Sequence, residues 1–293
     1  MATSLKSWIL AARPHTLSAS VVPVLVGSAL AWQQGAFHGG VFAATLIASL
    51  LVQVGANFTD EFADHGATAG AHKYLAPHKV IARGLLTEGA VKRGALVVFG
   101  LASLLGAWLV WRTGWPLLIV CLISLAVAIA YSAGPFPLGD YALGEALVFV
   151  IMGPVMVAGT DYVQVLRLDP VALWLSLPVG ALVTNILVAN NLRDEEEDRR
   201  NGRRTLGTVF GARALRVGYH ALLLLAYCVP LVAYLRGWGT AALLLPWLTL
   251  PLAIRISFWV RTGRDRDTLH RTLRTSSALH LLFGLLLTAG ILI

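Results

Sequence analysis

Long uncharged hydrophobic runs recur along the chain and are separated by short polar segments. A helix needs about 20 mostly apolar residues to cross the hydrocarbon core of a bilayer, with about 17 as a practical minimum. The runs that approach or meet this length lie at about residues 16–33, 40–58, 94–111, 115–131, 144–160, 171–190, 217–234, 240–258 and 277–293. Strands of the alternating kind found in membrane β-barrels do not appear in the sequence. The pattern predicts an all-α polytopic membrane protein with nine transmembrane helices.

Composition and charge support this interpretation and give an orientation. Only 13% of the residues are charged, whereas a soluble domain carries about 25%. If the N-terminus is inside, only three of the 23 Lys and Arg residues fall in outside loops, at Arg112, Arg167 and Arg236. Because cytoplasmic loops carry an excess of Lys and Arg, we expect a multi-pass protein of the cell inner membrane, with the N-terminus cytoplasmic and the C-terminus outside. The net charge of +8 follows from this topology and from attraction to the lipid bilayer, so no nucleic-acid partner is expected.

Two polar motifs of equal spacing follow the second and the sixth apolar run. Both read Asn-x-x-Asp-x-x-x-Asp, and their residues are Asn57, Asp60, Asp64 and Asn191, Asp194, Asp198. If each helix continues through its motif, spacings of three, four and seven place the three side chains on one face. We therefore expect a single transmembrane domain over residues 1–293, built from two pseudo-repeated halves with Asp-rich motifs at 57–64 and 191–198. The motifs would hold their carboxylates at a common point at the cytoplasmic edge of the membrane.

Convergent carboxylates repel one another unless a cation neutralises them, and ligands that are all oxygen favour Mg²⁺ or Ca²⁺. Basic residues follow both motifs, among them Lys79 and Arg83 after the first and Arg203 and Arg204 after the second. Arginine side chains match phosphate oxygens two at a time. The combination predicts an Mg²⁺-bound diphosphate. The alternative is that these are ordinary solvated charges, an explanation that a second motif of equal spacing at an equivalent position disfavours.

Three segments resemble the UbiA superfamily of intramembrane prenyltransferases. They are AARPHTLSASVVPVLVGSALA near the N-terminus, YSAGPFPLGDYALGEALVFVIMGPVMVAGT from Tyr131 to Thr160, and NNLRDEEEDRRNGRRTLGTVFG. Within the superfamily the resemblance is closest to the 1,4-dihydroxy-2-naphthoate polyprenyltransferases, and it covers nearly the whole chain. It implies a nine-helix UbiA-type bundle. It also implies transfer of a polyprenyl group from polyprenyl diphosphate to 1,4-dihydroxy-2-naphthoate, with loss of CO₂, giving demethylmenaquinone for menaquinone biosynthesis.

The resemblance also implies site residues. The Mg²⁺ ligands would be Asp64, Asp194, Asp198 and either Asp60 or Glu61, because the first motif departs from the family's commonest form and leaves that choice open. The residues expected to help bind the diphosphate are Asn57, Lys79, Arg83, Asn191, Arg203 and Arg204.

Three further residues are candidates at the ends of apolar runs. Arg13 and Tyr131 are expected to line the reaction cavity, with interface anchors as the alternative for both. Arg13 stands apart in sequence from both basic clusters, so we expect it to bind the carboxylate of the naphthoate acceptor. Glu145 is an acid at the start of an apolar run, which makes it a functional candidate by default.

Two other functions fit parts of the pattern. A secondary transporter of an organic anion also uses repeated halves, but its site lies near the bilayer midplane, whereas the acids here cluster at one end of the runs. A UbiA-type enzyme with another acceptor, such as 4-hydroxybenzoate, homogentisate or a glycerol-phosphate lipid, fits the pattern better than a transporter does. The segment GPFPL followed by LGE favours the naphthoate.

Overall fold

The computed structural model describes residues 4–67 and 79–293, and its regular structure is helical. The α-helices of the described residues are α1 (Leu5–Ala12), α2 (Ser18–Gln33), α3 (Gly39–Ala67), α4 (Glu88–Thr113), α5 (Trp115–Ala130), α6 (Gly144–Val150), α7 (Met156–Val165), α8 (Pro170–Arg200), α9 (Leu206–Leu235), α10 (Leu250–Thr262) and α11 (Arg266–Leu292). Short 3₁₀ helices lie at Pro14–Thr16, Leu138–Asp140 and Ala241–Thr249, and a π-helical turn at Ile151–Val155 joins α6 to α7.

A helix lies at each of the predicted apolar runs, which confirms the all-α membrane class. Within the described residues, seven helices are long and apolar enough to cross a membrane, and the first bent pair makes an eighth if its two parts, which meet at 53°, form one span. Helix α5 has only 16 residues. It spans about 24 Å, which is shorter than a hydrocarbon core of about 30 Å. The count of nine crossings therefore stays a prediction.

Several helices continue beyond the apolar runs and begin or end at polar capping residues. Helix α8 runs through the charged segment to Arg200. Thr205 caps the start of α9, where its side chain accepts a hydrogen bond from the Thr208 N–H, and Thr87 caps α4 in the same way. Such caps satisfy backbone N–H groups that have no partner inside the helix. As predicted, both Asp motifs lie inside helices, the first in α3 and the second in α8.

The chain divides into two compact units, and each contains one Asp motif. The first unit takes the described residues within Met1–Leu17 and Ala44–Asp140, and Phe58 and Phe99 lie in its core. The second unit takes Ser18–Ala43 and Tyr141–Ile293. Its core includes side chains of α8, α9 and α11. The single domain of two repeated halves stays a prediction.

Two glycines bring the backbone of the α6–α7 segment directly against α8. A Cβ atom on Gly153 would lie 2.8 Å from Gly180 Cα, and one on Gly180 would lie 2.8 Å from the carbonyl oxygen of Phe149. Small residues allow membrane helices to approach this closely. The same two elements bring Glu145, at the start of α6, within hydrogen-bonding distance of Asn191 on α8.

Candidate active site

In the first unit, Asn57 attaches the N-terminal segment to α3. Its Nδ2 donates one hydrogen bond to the carbonyl oxygen of Ala12, at 2.8 Å, and another to Thr16 Oγ1, at 3.0 Å. Arg13 lies between these two contacts and has a left-handed backbone conformation, with φ 51° and ψ 68°. Asn57 therefore fixes the backbone on both sides of Arg13.

The two aspartates of the first motif are both paired with basic side chains. Asp60 Oδ2 lies 2.6 Å from Arg13 Nη2, and its Oδ1 accepts a hydrogen bond from Ser132 Oγ at 3.2 Å. Asp64 forms an ion pair with Lys79. Arg13 thus belongs to the first Asp cluster, a contact that its position in the sequence, apart from both basic clusters, did not predict. The reason is the docking of its neighbours Ala12 and Thr16 on Asn57, which sequence spacing does not reveal.

The structure distinguishes Asp60 from Glu61. The Glu61 side chain is only 1% exposed, and its Oε1 accepts a hydrogen bond from the Ile81 N–H at 3.0 Å. Asp60 is 35% exposed. Glu61 is therefore engaged in fixing the turn that follows Lys79, whereas Asp60 is accessible to a ligand. Arg83 is exposed in that same turn.

Tyr131 lies at the end of α5, next to Ser132. Its carbonyl oxygen accepts a hydrogen bond from the Gly139 N–H at 2.9 Å, and a Cβ atom on Gly139 would lie only 3.1 Å from its ring. A cavity of about 310 Å³ lies beside Ser132, with Phe62 and Lys92 among its lining residues. Ser132 therefore contacts Asp60 of the first motif and also lines this cavity.

The second motif occupies the last turns of α8. Arg193 Nε donates to Asp194 Oδ1 at 2.8 Å, and Arg266 approaches the same oxygen at 3.5 Å. Asp198, whose side chain is only 4% exposed, lies 3.0 Å from Arg203 Nη1. Like the first motif, the second pairs each aspartate with a basic side chain.

Asn191 and Glu145 form a buried pair in the second unit. Asn191 Nδ2 donates to Glu145 Oε1 at 2.8 Å, and both side chains are buried. Glu145 also lines a cavity of about 130 Å³ whose other walls include Phe210 and Leu222. The structure thus brings together two predicted site residues from different elements.

The remaining charges near the second motif occupy other positions. Glu195 and Glu196 pair with Arg199 and Arg200 one turn along α8, and the Glu196 side chain is 88% exposed. Arg204 forms an isolated backbone bridge with Tyr141. The charge-rich segment therefore has an exposed face in addition to the motif face.

Among the described residues, sequence reasoning missed three side chains that contact the motif aspartates: Ser132, Arg193 and Arg266. Arg193 could have been found, because it lies inside the second motif. Ser132 and Arg266 are distant in sequence from the aspartates they contact, so only the tertiary structure shows their role.

The donor atoms of both motifs fit a hard cation, since they are carboxylate and amide oxygens. Among the residues that the structure describes, no three His, Cys, Asp or Glu side chains are grouped closely enough to hold a metal ion. A cation here would need further ligands from water or from a substrate. Mg²⁺ commonly binds in this way, through one or two carboxylates plus substrate phosphates.

Comparison with known proteins gives matches over most of the chain. A family model described as the UbiA prenyltransferase family matches residues 20–285. The 1,4-dihydroxy-2-naphthoate octaprenyltransferase of Mycobacterium tuberculosis (strain ATCC 25618 / H37Rv) is 34% identical over 284 residues, which cover 96% of this chain and 95% of that protein. The Escherichia coli (strain K12) protein of the same name is 32% identical over 299 residues, which cover 96% of this chain and 94% of that protein.

Solved structures of UbiA homologues share the fold. The apo structure of a homologue from Aeropyrum pernix K1 has a TM-score of 0.71 at 16% identity, over 94% of this chain and 96% of that one. A homologue from Archaeoglobus fulgidus bound to GPP and Mg²⁺ has a TM-score of 0.68 at 11% identity, over 97% of this chain and 99% of that one.

Proposed function

The chain belongs to the UbiA prenyltransferase family, and from this premise we propose that it transfers a polyprenyl group from polyprenyl diphosphate to 1,4-dihydroxy-2-naphthoate. The new bond joins the allylic carbon to the ring, diphosphate leaves the donor, and the ring carboxyl leaves as CO₂. The product is the hydroquinone form of demethylmenaquinone, because the step is redox-neutral and keeps both ring hydroxyls; a separate oxidation would give the quinone for menaquinone biosynthesis. Curated relatives that carry the naphthoate activity in their names support this acceptor.

The observation that carries the proposal is the pairing of the motif aspartates with basic side chains near the ends of α3 and α8. A site for Mg²⁺ and diphosphate needs both kinds of group, because carboxylates hold the metal and cations hold the phosphate oxygens. In the absence of substrate the two kinds of group neutralise each other. Exchange of partners on binding keeps the charges balanced.

We propose Mg²⁺ as the cofactor, held by Asp60, Asp64, Asp194 and Asp198. Bound Mg²⁺ stabilises the negative charge that develops on the departing diphosphate. Asp60 is chosen over Glu61 because Glu61 is buried and engaged with the backbone of Ile81. The A. fulgidus homologue that was solved with GPP and Mg²⁺ supports this choice of metal.

The basic residues bind and orient the diphosphate in this proposal. Arg13, Lys79 and Arg203 already contact motif aspartates, so each needs only to change partner when phosphate oxygens arrive. Arg83 and Arg204 add positive charge next to these groups. Because Arg13 belongs to the first Asp cluster, we now assign it to the diphosphate and not to the acceptor carboxylate.

We also propose that the chain crosses the cell inner membrane nine times, with α5 as one of the crossings. The N-terminus and both Asp motifs are then cytoplasmic, and the C-terminus is outside. A helix that is too short for the bilayer is accommodated by local thinning at a modest cost. The distribution of Lys and Arg supports this orientation.

The reaction is tested with purified protein in lipid nanodiscs, supplied with Mg²⁺ and one polyprenyl diphosphate. The acceptors are 1,4-dihydroxy-2-naphthoate, 4-hydroxybenzoate and homogentisate in separate reactions, and the products are identified by mass spectrometry. We expect a prenylated product only from the naphthoate, with a mass lower by one CO₂ than that of a simple adduct. Prenylation of a different acceptor, or a naphthoate product that keeps its carboxyl group, would contradict the proposal.

A further inference from the structure

In both motif asparagines the side-chain amide nitrogen donates to a protein acceptor, although the acceptors differ. Asn57 gives both of its Nδ2 hydrogens to protein acceptors, the Ala12 carbonyl and Thr16 Oγ1. Asn191 gives an Nδ2 hydrogen to Glu145 Oε1. An amide has a donor end and an acceptor end, and only the oxygen end binds a cation. In both motifs the nitrogen end is engaged with the protein.

The Asn191 amide nitrogen faces the Glu145 carboxyl group and donates to its Oε1. Asn191 Oδ1 then lies on the other branch of the amide, away from Glu145. Without the carboxylate, the amide can rotate and exchange its two ends. Glu145 therefore removes the choice between two orientations of Asn191, only one of which can bind Mg²⁺.

We propose that Glu145 is a positioning residue that holds Asn191 with its carbonyl oxygen towards the Mg²⁺–diphosphate. It acts through Asn191 and does not itself touch the metal. The inference rests on the proposed function only in that it takes Mg²⁺–diphosphate as the ligand of the second motif. It assigns Glu145 a role that does not depend on the identity of the acceptor.

The burial of Glu145 supports a specific role for its charge. A carboxylate that is almost fully buried beside apolar side chains is costly unless it is well hydrogen-bonded, and a well-packed apolar residue in such a place is often as stable or more stable. The close contact of Gly153 with Gly180 keeps α6 and α8 at the distance that the hydrogen bond needs. Both features are explained if the carboxylate orients Asn191.

A reciprocal exchange of the two groups gives a sharp test. Asn191→Asp places a second carboxylate against Glu145, and two carboxylates in contact cannot both be ionised without a large cost. Adding Glu145→Gln removes the conflict, because the glutamine amide can donate to the new aspartate, whose other oxygen stays available to the metal. Glu145→Gln alone keeps an acceptor oxygen for Asn191, and Glu145→Leu removes it.

The readouts are Mn²⁺ binding, followed by EPR with saturating geranyl thiolodiphosphate, and the midpoint of thermal unfolding in EDTA. Neither depends on turnover. Loss of a group that orients a metal ligand typically weakens metal binding by about 10- to 100-fold, and we expect this for Glu145→Leu and for Asn191→Asp. Asn191→Asp should also unfold at a lower temperature. The double variant should recover both properties, with Mn²⁺ binding within about threefold of Glu145→Gln alone.

Unchanged Mn²⁺ binding in Glu145→Leu would overturn the proposal, as would a double variant that binds no better than Asn191→Asp. Failure of the proposed function looks different. It appears as prenylation of another acceptor by the wild-type protein, and the order of Mn²⁺ affinities among the variants does not depend on that result.

Discussion

Each motif aspartate has a basic partner, and the partners come from different parts of the chain. Arg193 and Arg203 lie within a few residues of the acids they contact, whereas Arg13 reaches Asp60 from the N-terminal segment. Ion pairs on exposed surfaces contribute little to stability, but Asp64, Asp194 and Asp198 are partly or fully shielded from solvent. Asp60 is the most exposed of the four. Removing one partner of a buried pair leaves an uncompensated charge. The motifs are therefore balanced acid–base clusters that a charged ligand can enter only by exchanging partners.

Asp198 and Glu196 offer a matched comparison on α8, because both are paired with arginine but only Asp198 is buried. We expect Asp198→Ala to lower kcat/KM by at least about 100-fold, about 2.7 kcal/mol of transition-state stabilisation, since Asp198 is a proposed metal ligand. Glu196→Ala should change it by less than about fivefold, because an exposed pair of this kind is worth less than about 1 kcal/mol. Steady-state kinetics of the two purified variants measure the difference. Equal losses would show that the motif face is assigned incorrectly.

The sequence identified relations between residues of one helix, but it did not identify contacts between residues of separate helices. Helical periodicity was sufficient to place the acids of each motif on one face of a helix, because this relation is local. The engagement of Glu61 by Ile81 and the contact of Ser132 with Asp60 depend on how separate helices pack. The same is true of Arg13. Hydrophobic periodicity contains no information about these contacts.

At the scale of elements, the sequence predicted where helices lie but not how they bend or end. An apolar run marks the part of a helix that lies within the membrane, so the polar starts of α9 and α11 fell outside the predicted runs. The π-helical turn at Ile151–Val155 contains Pro154, which has no N–H to donate and interrupts the regular pattern of hydrogen bonds. This irregular turn and the contact of Gly153 with Gly180 set the position of α6 and therefore of Glu145.

Gly153 and Gly159 lie on the same α6–α7 segment but in different surroundings. Gly153→Ala should destabilise the protein by about 1–3 kcal/mol, because its Cβ would lie 2.8 Å from Gly180 Cα and the α8 backbone cannot easily move away. Gly159→Ala meets no atom of the described residues within 4 Å, so it should be neutral or stabilising by up to about 1 kcal/mol. Thermal unfolding in nanodiscs measures both variants. Equal midpoints would mean that the close approach of the helices is not needed for stability.

At the scale of the whole molecule, the proposed reaction constrains the number of crossings. Both Asp motifs must lie on the same side of the membrane if they bind one diphosphate. Between the end of α3 and the end of α8 the chain passes through α4, α5, the α6–α7 segment and α8. Four crossings return the second motif to the side of the first, whereas three leave it on the opposite side. The short helix α5 must therefore cross the membrane for the proposed function to be possible.

The number of crossings can be tested in Escherichia coli with two reporters, each fused after a residue on a known side of one of the helices. With nine crossings, alkaline phosphatase fused after Ile293 should be active and green fluorescent protein at that position should be dark, because the C-terminus is outside. Fusions after Gly134, which follows α5, should behave in the opposite way, and fusions after Gly84, which follows α3, serve as the cytoplasmic control. If α5 does not cross, the results at Gly134 and Ile293 are both inverted while those at Gly84 stay the same. That outcome would place the two motifs on opposite sides of the membrane and rule out a shared diphosphate site.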